Sequence, residues 1–215
     1  MQLGFLVLCT TYVVILGIRL LTRRFDDIAL IHYLRPWVFA APQALLILCV
    51  WQVLKWRGET WEDIGVCPPS TKLGYLASLL CVPVNLTLSA ICVYLTLKIG
   101  FEFITVPKIA KDILGNGWFI VINLFAIAVW VPVVEEIFFR GFMMRTMARK
   151  MSTPLAILGS SLVFSLVHGH VGLIVPIFIG SVVLSILYIK TKSLYTPVLA
   201  HSIQNLAVSV VAASG

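Results

Sequence analysis

Long apolar runs separated by short polar connections divide the chain into predicted membrane helices. Most of the runs reach the ~20 residues that an apolar helix needs to cross the hydrocarbon core of a bilayer. The pattern therefore predicts an all-α, polytopic transmembrane helix bundle. We predict about seven spans, within a range of six to eight, and place them at residues 3–21, 36–54, 73–97, 118–150, 152–168, 173–189 and 194–211.

We expect one integral membrane domain over residues 1–215, because no linker, low-complexity tract or internal repeat separates two halves. Residues 1–115 hold the N-terminal spans and interfacial segments, and residues 118–212 hold the helices that carry the motifs described below. The polar residues 57–66, with Trp56 beside them, fit a short interfacial helix and a plain surface loop about equally well. Residues 101–113 fit an amphipathic connector on the membrane surface.

Composition supports a membrane protein and argues against a nucleic-acid partner. The chain is 60% hydrophobic and 12% charged, about half the charged fraction of a soluble domain. Its net charge of +7 comes from basic residues clustered between the apolar runs, where Lys and Arg act as topology signals and contact lipid headgroups. The Lys and Arg residues divide almost equally between the two sides of the membrane, with a slight preference for a cytoplasmic N-terminus. The five cysteines occur singly, so we predict no disulfide framework and no cysteine metal site.

Two adjacent carboxylates and an arginine interrupt the fourth apolar run. An ionisable residue at bilayer depth costs at least ~2.5–3.5 kcal/mol, so Glu135, Glu136 and Arg140 need partners and suggest a function. With 3.6 residues per turn, Glu136 and Arg140 share a face and are predicted to form an ion pair. Glu135 has Phe138 and Phe139 as neighbours, and apolar surroundings make a carboxylate a better general base. A purely structural ion cluster, or one lining a transport path, is the alternative.

Two later helices carry pairs of residues with the same four-residue spacing: Phe164 with His168, and His201 with Asn205. A bundle that buries these groups together with the carboxylates has few ways to satisfy them except by convergence, which predicts a buried polar cavity. At ~1.5 Å per residue, Glu135 and His201 lie ~15 Å and ~13 Å below the same basic interface. The same count places His168 ~22 Å or more below the basic interface, which requires helices that project beyond the bilayer.

These residues match, in order and spacing, three signatures of the CAAX protease and bacteriocin-processing family, the Abi intramembrane endopeptidases. The chain resembles this family, which includes the type II CAAX prenyl endopeptidases, from about residue 118 to its C-terminus. Residues 61–66 are similar to the family's upstream element, more weakly.

The resemblance implies hydrolysis of a peptide bond within the membrane. By position, Glu135 and His168 would activate the attacking water, and His201 and Asn205 would stabilise the tetrahedral oxyanion. Glu136, Arg140 and Phe164 would support the site. A hydrophobic or membrane-anchored peptide is the expected substrate, and it could enter laterally between helices.

The resemblance favours a mechanism without a metal or other cofactor. Glu135, His168 and His201 could in principle hold zinc with one open position. No His-Glu-x-x-His arrangement occurs, and Glu135 cannot easily serve as both ligand and base.

Two other classes of function compete with the protease. One is a catalytically silent bacteriocin-immunity or membrane scaffold protein of the same family. The other is a small transporter or proton channel, against which the lack of repeat symmetry argues. Small size and the lack of a soluble domain or organelle signal favour a prokaryotic inner-membrane enzyme and an unmodified, rather than prenylated, substrate.

Overall fold

The computed structural model describes residues 11–14, 17, 33–100 and 113–214. All of the long elements in these residues are helices, which confirms the all-α class. They are α1 (Arg35–Arg57), α2 (Leu73–Lys98), α3 (Trp118–Ala148), α4 (Thr153–Leu166), α5 (Val171–Thr191) and α6 (Tyr195–Ser214).

Five of these helices are long and apolar enough to cross a membrane: α1, α2, α3, α5 and α6. The fifth predicted span corresponds to α4, which has only 14 residues. At 1.5 Å per residue it is about 21 Å long, less than the ~30 Å hydrocarbon core. Of the predicted first span, residues 11–14 and 17 are helical and the rest lies outside the described residues. The predicted connector at 101–113 also lies outside them, except for its last residue.

The end of α4 corrects one prediction. We expected this helix to reach His168, but it ends at Leu166. His168 lies in the turn that follows, where its backbone N–H points to the Ser165 carbonyl at 3.4 Å. Gly169 has a φ of +69°, a left-handed conformation that favours glycine and ends an α-helix.

The long helix α3 is not a regular α-helix. It contains two π-helical segments, Ala126–Trp130 and Ile137–Met144, with the short α-helical stretch Val131–Glu136 between them. Pro132 offers no backbone N–H and its ring crowds the carbonyl four residues earlier, which favours a wider turn there. The prediction of a uniform 3.6-residue period through this helix was therefore wrong.

The chain forms two compact units that alternate along the sequence. The first unit comprises Met1–Thr60, Ile109–Phe138 and Ser202–Gly215. The second unit comprises Trp61–Lys108 and Phe139–His201. Helices α3 and α6 each continue from one unit into the other.

In the first unit, α1 packs against the N-terminal part of α3. The Trp130 indole Nε1 donates to the Ala40 carbonyl at 2.7 Å, and Trp37 Nε1 donates to the Ile122 carbonyl at 3.3 Å. The buried Asn123 amide donates to the Leu114 carbonyl at 3.1 Å. Side-chain donors thus satisfy backbone carbonyls that have no water available in a membrane.

In the second unit, α5 packs against both α2 and α4. Gly180 allows α2 and α5 to approach closely, since a Cβ added there would lie 2.8 Å from the amide nitrogen of the buried Asn85. Small residues at such crossings are typical of membrane helices. Residues 61–66 also belong to this unit; their one regular element is a single 3-10 turn, Glu62–Ile64, much shorter than an interfacial helix.

Candidate active site

The two adjacent carboxylates are buried in the first unit. Glu135 is 4% exposed and Glu136 is fully buried, at the C-terminal end of the α-helical stretch of α3. Their neighbour Val134 is also fully buried. A carboxylate taken out of water is costly unless it is paired, hydrogen-bonded or protonated. Two buried carboxylates on one stretch of helix therefore need compensating interactions from their surroundings.

The predicted register from Glu136 to Arg140 needs correction. It assumed 3.6 residues per turn, but the second π-helical segment begins at Ile137, directly after Glu136. In a π-helix the backbone hydrogen bonds join residues five apart, so four residues do not complete a turn. The ion pair between Glu136 and Arg140 stays a prediction.

Arg140 is fully buried in the second unit and contacts two other helices there. Its Nη2 donates to the Ser181 hydroxyl at 2.9 Å and to the Ser181 carbonyl at 3.2 Å on α5. Its guanidinium carbon lies 4.6 Å from the centre of the Phe164 ring on α4. Oxygen acceptors and an aromatic face both stabilise a cation in a low-dielectric interior. Our reading of the sequence missed Ser181; its one signal is a serine four residues before Ser185 within an apolar helix.

Phe164 brings several of the predicted site residues together in the second unit. Its ring packs edge-to-face against the rings of Phe139, His168 and His201. The ring centroids lie 4.8 Å, 4.8 Å and 6.2 Å from that of Phe164, respectively. These distances lie in the range for favourable aromatic pairs. Together with Arg140, the four aromatic rings form one cluster on α3, α4, α6 and the turn after α4.

The His168 ring has a defined proton position. Its Nδ1 lies 2.7 Å from the Phe164 carbonyl oxygen. A carbonyl oxygen only accepts hydrogen bonds, so Nδ1 must carry the proton. In the neutral ring Nε2 then keeps its lone pair and can accept a proton. Unlike the buried His201, His168 is an exposed residue.

Asn205 is half-buried in the first unit. Its Nδ2 donates to the Ile127 carbonyl at 3.0 Å, within the first π-helical segment of α3. Because a carbonyl only accepts, this contact fixes which atom of the amide is the nitrogen. One N–H is used, and the second can donate elsewhere.

The predicted site residues thus form two groups. Glu135, Glu136 and Asn205 lie in the first unit, whereas Arg140, Phe164, His168 and His201 lie in the second. Within the second unit the four residues are in one connected set of ring and cation contacts.

Among the described residues, no group of three or more His, Cys, Asp or Glu side chains could hold a metal ion. The zinc alternative, with Glu135, His168 and His201 as ligands, therefore has no assembled ligand set in this part of the chain. A mechanism without a metal stays a prediction.

Comparison with protein families bears on the segment that carries all of these residues. Residues 117–207 match the family model described as type II CAAX prenyl endopeptidase Rce1-like. This segment of the chain is therefore similar to the Rce1-like family. This finding confirms the resemblance to the CAAX protease and bacteriocin-processing family. The comparisons with curated proteins and with solved structures give no match.

The Rce1-like segment runs from the start of α3 into α6 and includes every predicted site residue. The family is a protease family, which supports an intramembrane protease in general terms. Together with five long apolar helices, it makes the chain an integral, multi-pass membrane protein. Helices α1 and α2 and residues 61–66 lie outside the Rce1-like match.

Proposed function

We propose that this protein is an intramembrane endopeptidase that hydrolyses a peptide bond through a water molecule activated by Glu135. The observation that carries this proposal is a buried carboxylate pair on a membrane-crossing helix within an Rce1-like domain. A carboxylate buried at membrane depth is a group that can take a proton from water in general-base catalysis.

His168 assists in water activation. Its Nδ1–H donates a hydrogen bond to the Phe164 carbonyl. The lone pair on Nε2 can then accept a hydrogen bond or a proton from the attacking water. The water attacks the substrate carbonyl carbon and gives its proton to the base formed by Glu135 and His168. As the C–N bond breaks, the same proton passes to the departing amine, which leaves the protein in its starting state.

His201 and Asn205 stabilise the oxyanion of the tetrahedral intermediate. His201 is buried and in ring contact with Phe164. The Asn205 amide is oriented by its bond to the Ile127 carbonyl, which leaves one N–H to donate. Preorganised donors of this kind are worth ~2.7–4 kcal/mol each in the transition state, because they need no reorganisation when charge develops.

Glu136, Arg140 and Phe164 support the site. Arg140 supplies a buried positive charge that Ser181 and the Phe164 ring hold in place. A fixed cation on α3 stabilises the negative charge that the carboxylates and the oxyanion bring into the membrane.

The proposed substrate is an unmodified hydrophobic or membrane-anchored peptide, and the proposed location is a prokaryotic inner membrane. The chain is 60% hydrophobic, so lipid surrounds the helices and a hydrophobic peptide can reach the site from within the bilayer.

The first experiment compares the membrane proteomes of cells expressing the native chain and Glu135→Gln at matched levels. The expected result is one or a few membrane polypeptides that lose a terminal segment only with the native chain. If the two proteomes agree and both chains give the same phenotype, the carboxylate is structural and the silent immunity or scaffold function replaces the protease.

Chelation tests the absence of a metal. Cleavage by the purified native chain should be unchanged after incubation with a strong zinc chelator and removal of the chelate. Loss of cleavage that returns only with added zinc would restore the zinc alternative.

A further inference from the structure

Residues 64–67, called the strap below, are bound to the end of α5 and to the turn between α5 and α6. The Tyr188 hydroxyl donates to the Ile64 carbonyl at 2.9 Å. The backbone N–H of Leu194 donates to the Gly65 carbonyl at 2.7 Å. A third bond joins the Ser193 hydroxyl to the last carbonyl of the strap. Three anchors within four residues hold this segment in one position.

The strap also contacts α3 within its second π-helical segment. Ile64 is only 1% exposed. A Cβ added at Gly141 would lie 3.3 Å from Ile64 Cδ1, 3.3 Å from the Ile64 carbonyl oxygen and 3.0 Å from Leu194 Cδ1. The missing side chain at Gly141 therefore lets the strap and Leu194 press against the backbone of α3. Gly141 directly follows Arg140.

Gly65 is required by both conformation and space. Its φ is +91°, a backbone conformation that residues other than glycine rarely adopt. A Cβ at Gly65 would also lie 2.8 Å from Cε2 of Tyr188. The strap can therefore pass over α5 only with glycine at this position.

We propose that the strap is a positioning element that holds the Arg140 segment of α3 and the start of α6 in one fixed relation. It reaches Arg140 through Gly141. The strap also binds Leu194, the residue before α6. His201 lies ~10 Å further along that helix. All of these contacts lie within the second unit, and the strap lies outside the Rce1-like match. The proposal rests on the proposed function, because it concerns the geometry of the same site.

Positioning by the strap would act on catalysis more than on substrate binding. A displacement of about 1 Å in a catalytic constellation can cost ~10²-fold in rate, even when the change is remote from the reacting atoms. Ile64, Gly65 and Gly141 are positioning residues, since none of them is placed against substrate.

The test uses the full chain, purified and reconstituted, with the peptide identified by the proteome comparison. Ile64→Ala should lower kcat at least ~10-fold with KM changed less than ~2-fold, and Ile64→Val should retain most of the activity. Leu46→Ala is the matched control, because it removes as many carbons from a fully buried position in the first unit. It should lower Tm comparably and leave kcat of the folded protein nearly unchanged.

A double variant separates positioning from simple packing. Gly141→Ala alone should lower kcat, because its methyl group pushes against Ile64 and Leu194. In combination with Ile64→Ala the methyl group loses its contact with Ile64 Cδ1 and keeps those with Leu194 Cδ1 and the Ile64 carbonyl oxygen. The double variant should therefore recover part of the kcat lost by either single variant. If the double variant is no more active than the worse single variant, or if Ile64→Ala behaves like Leu46→Ala, the proposal is wrong.

Hydrogen exchange tests the strap independently of catalysis. Ile64→Ala should speed amide exchange in residues 137–144 and in the first turns of α6, and leave α1 unchanged. Unchanged exchange in both segments would overturn the strap proposal even if the native chain cleaves its substrate. Faster exchange without any Glu135-dependent cleavage would instead reject the proposed function and retain the strap as a positioning element.

Discussion

The two π-helical segments of α3 are used in different ways. At Ala126–Trp130 the contacts are hydrogen bonds with neighbouring helices: Asn205 of α6 donates to the Ile127 carbonyl, and the Trp130 indole N–H donates to the Ala40 carbonyl of α1. At Ile137–Met144 the segment offers a buried cation, Arg140, and a bare backbone at Gly141.

This difference shows two solutions to one physical problem. A π-helical turn disturbs the regular bonding of a helix, and in a membrane no water can satisfy the groups that it frees. In the first segment the Asn205 side chain of α6 satisfies the Ile127 carbonyl, and the segment's own Trp130 side chain donates to α1. The second carries a charge, which α4 and α5 satisfy through Phe164 and Ser181. We therefore expect substitutions near the second segment to affect chemistry most, and those near the first to affect stability, with Asn205 affecting both.

The largest expected effect is on the carboxylate that precedes the second segment. Glu135→Gln keeps the shape of the side chain and removes its basicity, so kcat should fall ~10²–10⁴-fold, the usual contribution of a general base. Glu62→Gln, at an exposed carboxylate in the second unit, is the matched control and should leave kcat unchanged. Peptide cleavage in proteoliposomes measures both. Equal activity of Glu135→Gln and the native chain would remove the chemical distinction between the segments.

The next effect tests the residue that links the first segment to the site. Asn205→Ala removes both the bond to the Ile127 carbonyl and the predicted oxyanion donor. We expect kcat to fall ~10²–10³-fold, as for loss of one oxyanion-hole donor, together with a lower Tm. If Tm falls and kcat does not, Asn205 belongs only to the structural role of the first segment.

A smaller effect is expected from the partner of Arg140. Ser181→Ala removes a hydroxyl that binds a buried charge, which should lower the free energy of unfolding by about 1.5–3 kcal/mol. Ser185→Ala is the control one turn further along α5, where the hydroxyl only bonds back to the Ser181 carbonyl at 2.8 Å. Because such bonds within a helix contribute little, this variant should be nearly neutral. Denaturant unfolding in detergent compares the two, and equal losses would argue that Arg140 gains nothing from the hydroxyl.

Hydropathy and residue spacing predicted much of this molecule. The predicted span at 73–97 is observed as Leu73–Lys98, because apolar length alone decides where a helix can cross a membrane. The four-residue spacing also predicted that Phe164 and His168 lie on one face. The two rings are in contact even though α4 ends at Leu166, before His168. Their ring centroids lie 4.8 Å apart.

Other features depend on contacts that a single sequence does not display. The π-helical register after Glu136 lies where Ile64 and Leu194 press on Gly141, residues distant in sequence. Ser181 resembles any small residue at a helix crossing, so its bond to Arg140 was not predicted. The strap is held through its backbone carbonyls, which every residue has. Its side chains therefore could not distinguish a loop from an interfacial helix.

The smallest expected effect tests the structural role of the first segment. Trp130→Phe keeps the aromatic ring but removes the N–H that donates to Ala40, which should cost about 0.5–1.5 kcal/mol, the net value of one hydrogen bond. Trp37→Phe is the matched control between the same two helices, and its longer bond of 3.3 Å should cost less. Neither variant should change kcat, because neither side chain belongs to the site. Thermal unfolding and peptide cleavage measured on the same preparations decide the matter. A tenfold loss of kcat in Trp130→Phe without a matching loss of folded protein would show that the first segment also shapes the chemistry, and the contrast between the two segments would fail.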